Sequence, residues 1–144
     1  MVKFPMKFEV SATAGAGVEN TWIAQSDQLP PIPSAIPPEF MGPGGGYSPE
    51  DLFALSVLNC LIATYKVYSA KASVSFQEIR GRAVVTVDKH PSESGFFMAH
   101  IEFFLDVSGS SDPTKGKKLL ESAIKDCAVS NSIKSGTSFH ITVE

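Results

Sequence analysis

Two cysteines, Cys60 and Cys127, are the residues of this sequence best suited to carry chemistry. They are the two sulfhydryls among 144 residues, and 67 positions separate them (127 − 60). Cys60 lies in the apolar run LFALSVLNCLIATYKVY, and Cys127 lies in KKLLESAIKDCAVS, which also has helical periodicity. Such a pair fits a reactive thiol with a resolving partner, and it equally fits two small hydrophobic residues of a core.

Glu50 is the third candidate, because its carboxylate falls in the first turn of the helix that contains Cys60. A carboxylate there favours the helix dipole, which by itself is a sufficient role. Glu50 and Cys60 are ten residues apart on one helix, or about 15 Å at ~1.5 Å per residue. If both serve one small substrate, Glu50 must therefore come from a second chain whose helix packs antiparallel, which implies a two-fold dimer.

Other chemistries have weaker support in the sequence. His90 falls in a predicted turn, whereas His100 and His140 fall in predicted strands, and their spacing does not match a zinc site. A cysteine–histidine hydrolase stays open in principle, although nothing pairs a particular histidine with Cys60. The segment GPGGGYSPE precedes a helix but lacks the lysine of a phosphate-binding loop. We therefore expect no bound metal or cofactor.

Composition excludes several partners. Hydrophobic residues make up 43% of the chain, enough for a core, and charged residues only 19%, so apolar surface is expected to pack against another copy. The net charge of −3 argues against nucleic-acid binding. The start MVKFPMKFEV does not resemble a signal peptide, and the apolar run 52–67 is too short for a membrane span. We expect a cytoplasmic protein, where paired cysteines are more often redox-active than structural.

The order of elements predicts a single α+β domain over residues 1–144, with antiparallel sheet and a buried helix. The central helix begins with Ser48 as N-cap and Pro49 in the first helical position, and its apolar residues lie nearly all round it. The predicted elements are an N-terminal hairpin 6–26, a Pro/Gly-rich loop 27–47, a central helix 48–70, strands 74–88 and 96–108, a second helix 112–130 and a final strand 138–143.

Several of these residues, in this order, resemble the OsmC/Ohr family of osmotically inducible and organic hydroperoxide resistance proteins. The resemblance covers nearly the whole chain. Its specific parts are the glycines 44–46, the helix start Ser48-Pro49-Glu50-Asp51-Leu52, Cys60 ten residues after Glu50, and Cys127 before a short final strand. No single part is unusual, but the ordered set is fairly specific.

The resemblance implies an OsmC-like fold, with antiparallel sheets around a long buried central helix, in an intertwined homodimer with active sites at the interface. It implies thiol peroxidase chemistry on organic hydroperoxides, in defence against oxidative stress. Carried over by position, Cys60 is similar to the peroxidatic cysteine, Cys127 to the resolving cysteine and Glu50 to the acidic active-site residue. The implied reductant is an external dithiol such as dihydrolipoamide or a lipoylated protein.

One departure from the family favours a different interpretation. The family places an arginine on the N-terminal hairpin, beside the reactive thiolate, but residues 15–22 here are GAGVENTW. The arginines of this chain are Arg80 and Arg82, in a later strand. A cation beside a thiol lowers its pKa, so its loss removes one source of reactivity. The alternative hypothesis is a non-catalytic dimeric module that binds a hydrophobic small molecule and uses the cysteines as core residues.

Overall fold

The computed structural model describes residues 3–144, so the first two residues of the predicted domain lie outside it. The chain forms two compact units, one ending at Leu52 and one spanning Phe53–Glu144. That all of it is one domain stays a prediction. The elements are β1 (Ser11–Thr13), β2 (Trp22–Gln25), β3 (Ile32–Ser34), α1 (Pro49–Lys71), β4 (Glu78–Lys89), β5 (Phe96–Ser108), α2 (Pro113–Asp126) and β6 (Gly136–Val143), with short 3₁₀ helices at Pro38–Phe40 and Ser130–Ser132.

The N-terminal unit contains a small antiparallel sheet in the order β1-β2-β3. The predicted hairpin is present, since Ala12 on β1 pairs with Ala24 on β2, but β1 is much shorter than the predicted segment. Strand β3 lies inside the segment predicted as loop. Its Pro33 has no N–H to donate, which a strand tolerates at the edge of a sheet, and β3 is the edge strand here. The Pro33 carbonyl accepts from Tyr47 N at 2.9 Å.

The rest of the predicted loop is a compact turn held by backbone hydrogen bonds. Gly42 N donates to Pro37 O at 3.0 Å, and Gly44 N donates to Ile36 O at 3.2 Å. A Cβ on Gly42 would overlap the Ile36 carbonyl oxygen, so only glycine fits there. The glycines therefore permit close backbone approach in an ordered turn.

The C-terminal unit contains a second sheet in the order β4-β5-β6. Strands β4 and β5 pair antiparallel from Glu78↔Ser108 onward, as predicted. Strand β6 runs parallel to β5, with Phe103 opposite Phe139, so the prediction of antiparallel pairing is wrong for this pair. The reason lies in the connection, because α2 carries the chain back to the far end of the sheet before β6 begins.

Helix α1 begins with a reciprocal cap, in which Asp51 N donates to Ser48 Oγ at 3.0 Å and Ser48 N donates to Asp51 Oδ2 at 2.9 Å. One face of the helix packs on the second sheet. The shared core consists of Val57, Leu58, Leu61 and Tyr65 from α1, Ile101, Phe103, Leu105 and Val107 from β5, and Leu120, Ala123 and Cys127 from the α2 region.

The opposite face of α1 is uncovered, with Leu55 38% and Val67 49% exposed, so the prediction of a helix covered on several sides does not hold in the single chain. Helix α1 has 23 residues and by length and composition alone is long and apolar enough to cross a membrane, contrary to the estimate from residues 52–67. That the protein has no membrane segment stays a prediction.

Candidate active site

Cys60 lies on α1 at the edge of the core. Its side chain is half-buried and packs against the buried cluster described above. Thr64, one helical turn later, donates from Oγ1 to the carbonyl of Cys60 at 2.8 Å, and the same Oγ1 lies 4.0 Å from the Cys60 sulfur. The thiol is therefore accessible enough to meet a small molecule and has a hydroxyl beside it.

Cys127 is fully buried and follows the last residue of α2. The predicted helix 112–130 therefore ends four residues early, at Asp126. The polar run after Cys127 explains the difference, because its side chains bond to the backbone instead of extending the helix. Asn131 Nδ2 donates to Lys125 O at 3.0 Å, and Ser132 Oγ donates to Ala128 O at 2.7 Å.

The two cysteines, far apart in sequence, meet in the tertiary structure. Both are free thiols, and the thiol of Cys127 donates a hydrogen bond to the Cys60 sulfur. Ser130 N donates to the Cys127 sulfur at 3.4 Å. The two thiols are thus close enough for each to influence the acidity of the other.

The two thiols differ in acidity because their surroundings differ. Burial raises the pKa of Cys60, but hydrogen bonds from Val129 N–H, the Cys127 thiol, Thr64 and Ala128 N–H outweigh it and hold the pKa below its ordinary value. Burial, together with the neighbouring Cys60 sulfur, raises the pKa of Cys127 to about 11. At neutral pH, Cys60 is thus the better nucleophile and Cys127 remains a proton donor.

Glu50 lies in the N-terminal unit, in the first turn of α1. The hydrogen-bonded cap of the helix is made by Ser48 and Asp51, so Glu50 takes no part in it, although its position in the first turn still favours the helix dipole. Its Oε2 atom is buried and has no hydrogen-bond partner among the described residues. The role of Glu50, like the roles of the two cysteines, stays a prediction.

The histidines and arginines are engaged elsewhere. His100 Nε2 lies 2.9 Å from Ser138 Oγ, and His140 Nε2 lies 3.5 Å from Glu102 Oε2. His90 Nδ1 accepts from the backbone of Ser92 and Glu93. Arg80 pairs with Glu78 at 2.9 Å, and Arg82 stacks on Phe104 at 4.0 Å. The structure thus does not support a cysteine–histidine hydrolase, and no group of three metal-ligating side chains occurs within residues 3–144.

A family model described as OsmC-like protein matches residues 42–142. The chain belongs to the OsmC-like protein family. The match includes Glu50, Cys60 and Cys127, the residues that the sequence singled out. No protein of curated function is a recognisable sequence relative of this OsmC-like chain.

Solved structures show the same fold at low sequence identity. An OsmC-like protein of unknown function from Vibrio cholerae has a TM-score of 0.82 at 16% identity, covering 95% of this chain and 99% of that one. An organic hydroperoxide resistance protein from Elizabethkingia anophelis has a TM-score of 0.79 at 19% identity, covering 99% and 100%. One from Legionella pneumophila has 0.78 at 20% identity, covering 98% and 100%. The predicted OsmC-like α+β fold is confirmed.

Sequence reasoning missed the groups that surround the thiols in this OsmC-like protein. Thr64 had a detectable signal, because a residue four positions after Cys60 lies on the same helix face. The backbone amides of residues 128–130 had no signal in the sequence. Every residue except proline has an N–H, and only the fold determines which of them lie near a sulfur.

Proposed function

We propose that this protein is a thiol-dependent peroxidase that reduces organic hydroperoxides to alcohols, in oxidative-stress defence. The observation that carries the proposal is that two free thiols lie close together and their pKa values are shifted in opposite directions. Cys60 has a lowered pKa and Cys127 a raised one. This is the asymmetry that a nucleophile and its resolving partner require.

The reaction has three steps. The Cys60 thiolate attacks the distal oxygen of ROOH, the O–O bond breaks, and a proton completes the alcohol ROH and leaves Cys60 as sulfenic acid. The Cys127 thiol then condenses with the sulfenic acid, forming the Cys60–Cys127 disulfide and releasing water. An external dithiol reduces that disulfide by thiol exchange and becomes oxidised itself. We propose dihydrolipoamide or a lipoylated protein as the class of reductant, acting in the cytoplasm.

The comparisons support this proposal at the level of the family. The chain belongs to the OsmC-like family, and the proteins of similar fold include ones named for organic hydroperoxide resistance. Cys60 packs against the apolar core cluster, which supports an organic substrate over hydrogen peroxide.

We further propose that the active protein is a homodimer and that Glu50 acts in the site of the partner copy. Ten helical positions separate Glu50 from Cys60, which keeps one carboxylate from its own chain's thiol. The buried, unpartnered Oε2 of Glu50 supports a contact that the single chain does not supply. The exposed apolar side chains of Leu55 and Val67 on α1 support the same proposal.

The deciding experiment adds a slight excess of cumene hydroperoxide and measures free thiols and intact mass together. The wild-type protein is expected to lose both thiols and the mass of two hydrogens. Cys60→Ser is expected to leave peroxide and the Cys127 thiol untouched. Cys127→Ser is expected to gain one oxygen and form no intrachain disulfide. Unchanged peroxide consumption by Cys60→Ser would overturn the proposal.

A second candidate, a binding module for a hydrophobic small molecule, has one observation in its favour. The N-terminal unit contains a cavity of about 490 Å³ with a largely apolar lining that includes Val10, Leu29, Ile32 and Leu52. Native mass spectrometry of the purified protein distinguishes the two candidates. A co-purifying apolar ligand together with two peroxide-inert thiols would favour the binding module.

A further inference from the structure

A side-chain hydrogen bond joins the two helices that carry the cysteines, close to both thiols. Tyr68 Oη donates to Asp126 Oδ2 at 2.7 Å. Tyr68 lies on α1, about two turns after Cys60, and Asp126 is the last residue of α2, directly before Cys127. The bond therefore connects the helix of one thiol to the residue next to the other thiol.

Tyr68 belongs to the same face of α1 as Cys60. Cys60, Thr64 and Tyr68 are successive residues four positions apart, and such residues are neighbours on a helix surface. Thr64 Oγ1 lies 4.0 Å from the Cys60 sulfur. The Tyr68 side chain packs against the buried core cluster, which includes Cys127. Packing thus holds the ring in place, and the hydroxyl has a fixed position from which it binds Asp126.

This bond differs from those that shape the turn after α2. Bonds within residues 125–132, such as that from Asn131 Nδ2 to Lys125 O at 3.0 Å, join neighbours in sequence and do not attach the turn to α1. Tyr68 and Asp126 are 58 positions apart and belong to different helices. Their bond therefore restricts movement of the end of α2 relative to α1.

We propose that Tyr68 and Asp126 are a positioning pair, which holds Cys127 beside Cys60 while both thiols are reduced. Disulfide formation fixes two groups relative to each other and is opposed by the conformational entropy that they lose. A segment already held by a hydrogen bond has less entropy to lose, so the two thiols have a higher effective concentration. The inference rests on the proposed function in taking the two cysteines as a reacting pair.

Equilibrium with dithiothreitol measures this effective concentration. The oxidised, cyclic reagent takes two electrons and two protons from the protein dithiol, which yields the Cys60–Cys127 disulfide and reduced dithiothreitol. Acid quenching, alkylation of free thiols and intact mass give the fraction of each form over a range of reagent ratios. Tyr68→Phe removes the hydroxyl and keeps the ring. It is expected to lower the equilibrium constant about fivefold, as the loss of one hydrogen bond at the surface predicts.

Lys115→Met is the matched control. Lys115 Nζ donates to Ala72 O at 3.0 Å, so it also ties α2 to the end of α1, but from the first turn of α2 and not from the end next to Cys127. A role in helix packing alone predicts similar effects of the two substitutions. Positioning of Cys127 predicts a lowered constant in Tyr68→Phe and a wild-type constant in Lys115→Met. An unchanged constant in Tyr68→Phe, or an equal decrease in both variants, would overturn the positioning pair.

Substitutions at Asp126 separate the hydrogen bond from the charge. Asp126→Ala is expected to lower the constant as Tyr68→Phe does, and the double variant no further, because either change removes the same bond. Asp126→Asn loses the charge but keeps an oxygen that accepts from Tyr68, so it is expected to retain most of the wild-type constant. Equal decreases in Asp126→Asn and Asp126→Ala would reject the pair. If Tyr68→Phe does not fold, these two variants decide.

The exchange involves no peroxide, so the positioning pair and the proposed function fail separately. A lowered constant in Tyr68→Phe, with a wild-type protein that ignores cumene hydroperoxide, would keep the pair and reject the peroxidase. Rapid peroxide reduction by the wild type, with an unchanged constant in Tyr68→Phe, would keep the peroxidase and reject the pair.

Discussion

At the scale of residues, the protein shows how one residue type acquires two chemistries. Cys60 and Cys127 have the same side chain, but Cys60 is half-buried and receives several hydrogen bonds, whereas Cys127 is fully buried and donates to its neighbour. Hydrogen bonds to a sulfur favour the thiolate, and burial disfavours it. The difference in acidity between the two cysteines thus follows from their surroundings.

This difference predicts selective alkylation. Iodoacetamide should modify Cys60 first, with a rate that rises across a pH range below the ordinary thiol value, because its pKa is lowered. The thiolate of Cys127 should appear only as the pH approaches its pKa of about 11. Peptide mass mapping of initial rates at several pH values checks this. In denaturant the two cysteines should react alike, and equal rates in the folded protein would contradict the prediction.

At the scale of elements, capping and close packing position the site. Helix α2 begins with Asp112, whose Oδ1 accepts from Lys115 N at 3.0 Å, followed by proline at the first position. Because α2 leads directly into the turn that holds Cys127, its register fixes where that sulfur lies. The N-cap could be predicted from the sequence, but the early end of the helix could not.

Asp112→Ala should lower the free energy of unfolding by about 1 kcal/mol, since it removes the cap of α2. Glu121→Ala, at an exposed position on the same helix, is the control and should have a much smaller effect. Urea denaturation followed by circular dichroism measures both. Equal effects of the two substitutions would show that the cap contributes little.

The turn between β3 and α1 allows a second test of element-scale packing. Gly42→Ala should destabilise the protein by roughly 1–3 kcal/mol, because the new Cβ would overlap the Ile36 carbonyl, which is backbone. A Cβ on Gly15 would have no neighbour within 4 Å, so Gly15→Ala is the matched control and should be close to neutral. Thermal unfolding compares them, and a wild-type melting temperature for Gly42→Ala would refute the close approach.

At the scale of the whole molecule, exposed apolar side chains are a prominent feature. Phe8 is 90% exposed, Met41 91% and Val67 49%, from both units of the chain. Within either unit, apolar surface of this kind is available to pack against another chain. Together with the buried, unpartnered carboxylate oxygen of Glu50, it supports the proposal that a second copy completes the molecule.

The proposed dimer has a mass twice the 15.4 kDa of the chain. Val67→Lys should shift the molar mass toward that of the monomer, because it places a charge on the uncovered face of α1. Val84→Lys is matched in residue type and exposure, 43% against 49%, but lies on β4, and should remain dimeric. Light scattering after size exclusion measures the mass. A monomeric wild-type protein that still reduces peroxide would contradict the proposal.

The sequence by itself determined the elements and the candidates. The N-cap Ser48, the following proline and the apolar run after them specify α1 locally, and strand 96–108 is bounded as predicted. The family resemblance, carried by the glycines before α1 and by Glu50, Cys60 and Cys127, led to the fold that the comparisons confirm. These features depend on residue type and spacing, which the sequence records.

The tertiary structure decided which strands pair, where α2 ends and which candidate residues lie close together. The parallel pairing of β6, the strand β3 within the proline-rich segment and the end of α2 at Asp126 depend on contacts between residues distant in sequence. The same holds for the approach of Cys60 to Cys127 and for the amide of Ser130, which donates to the Cys127 sulfur at 3.4 Å. A backbone N–H is present at almost every position, so its chemical role follows from where the folded chain directs it.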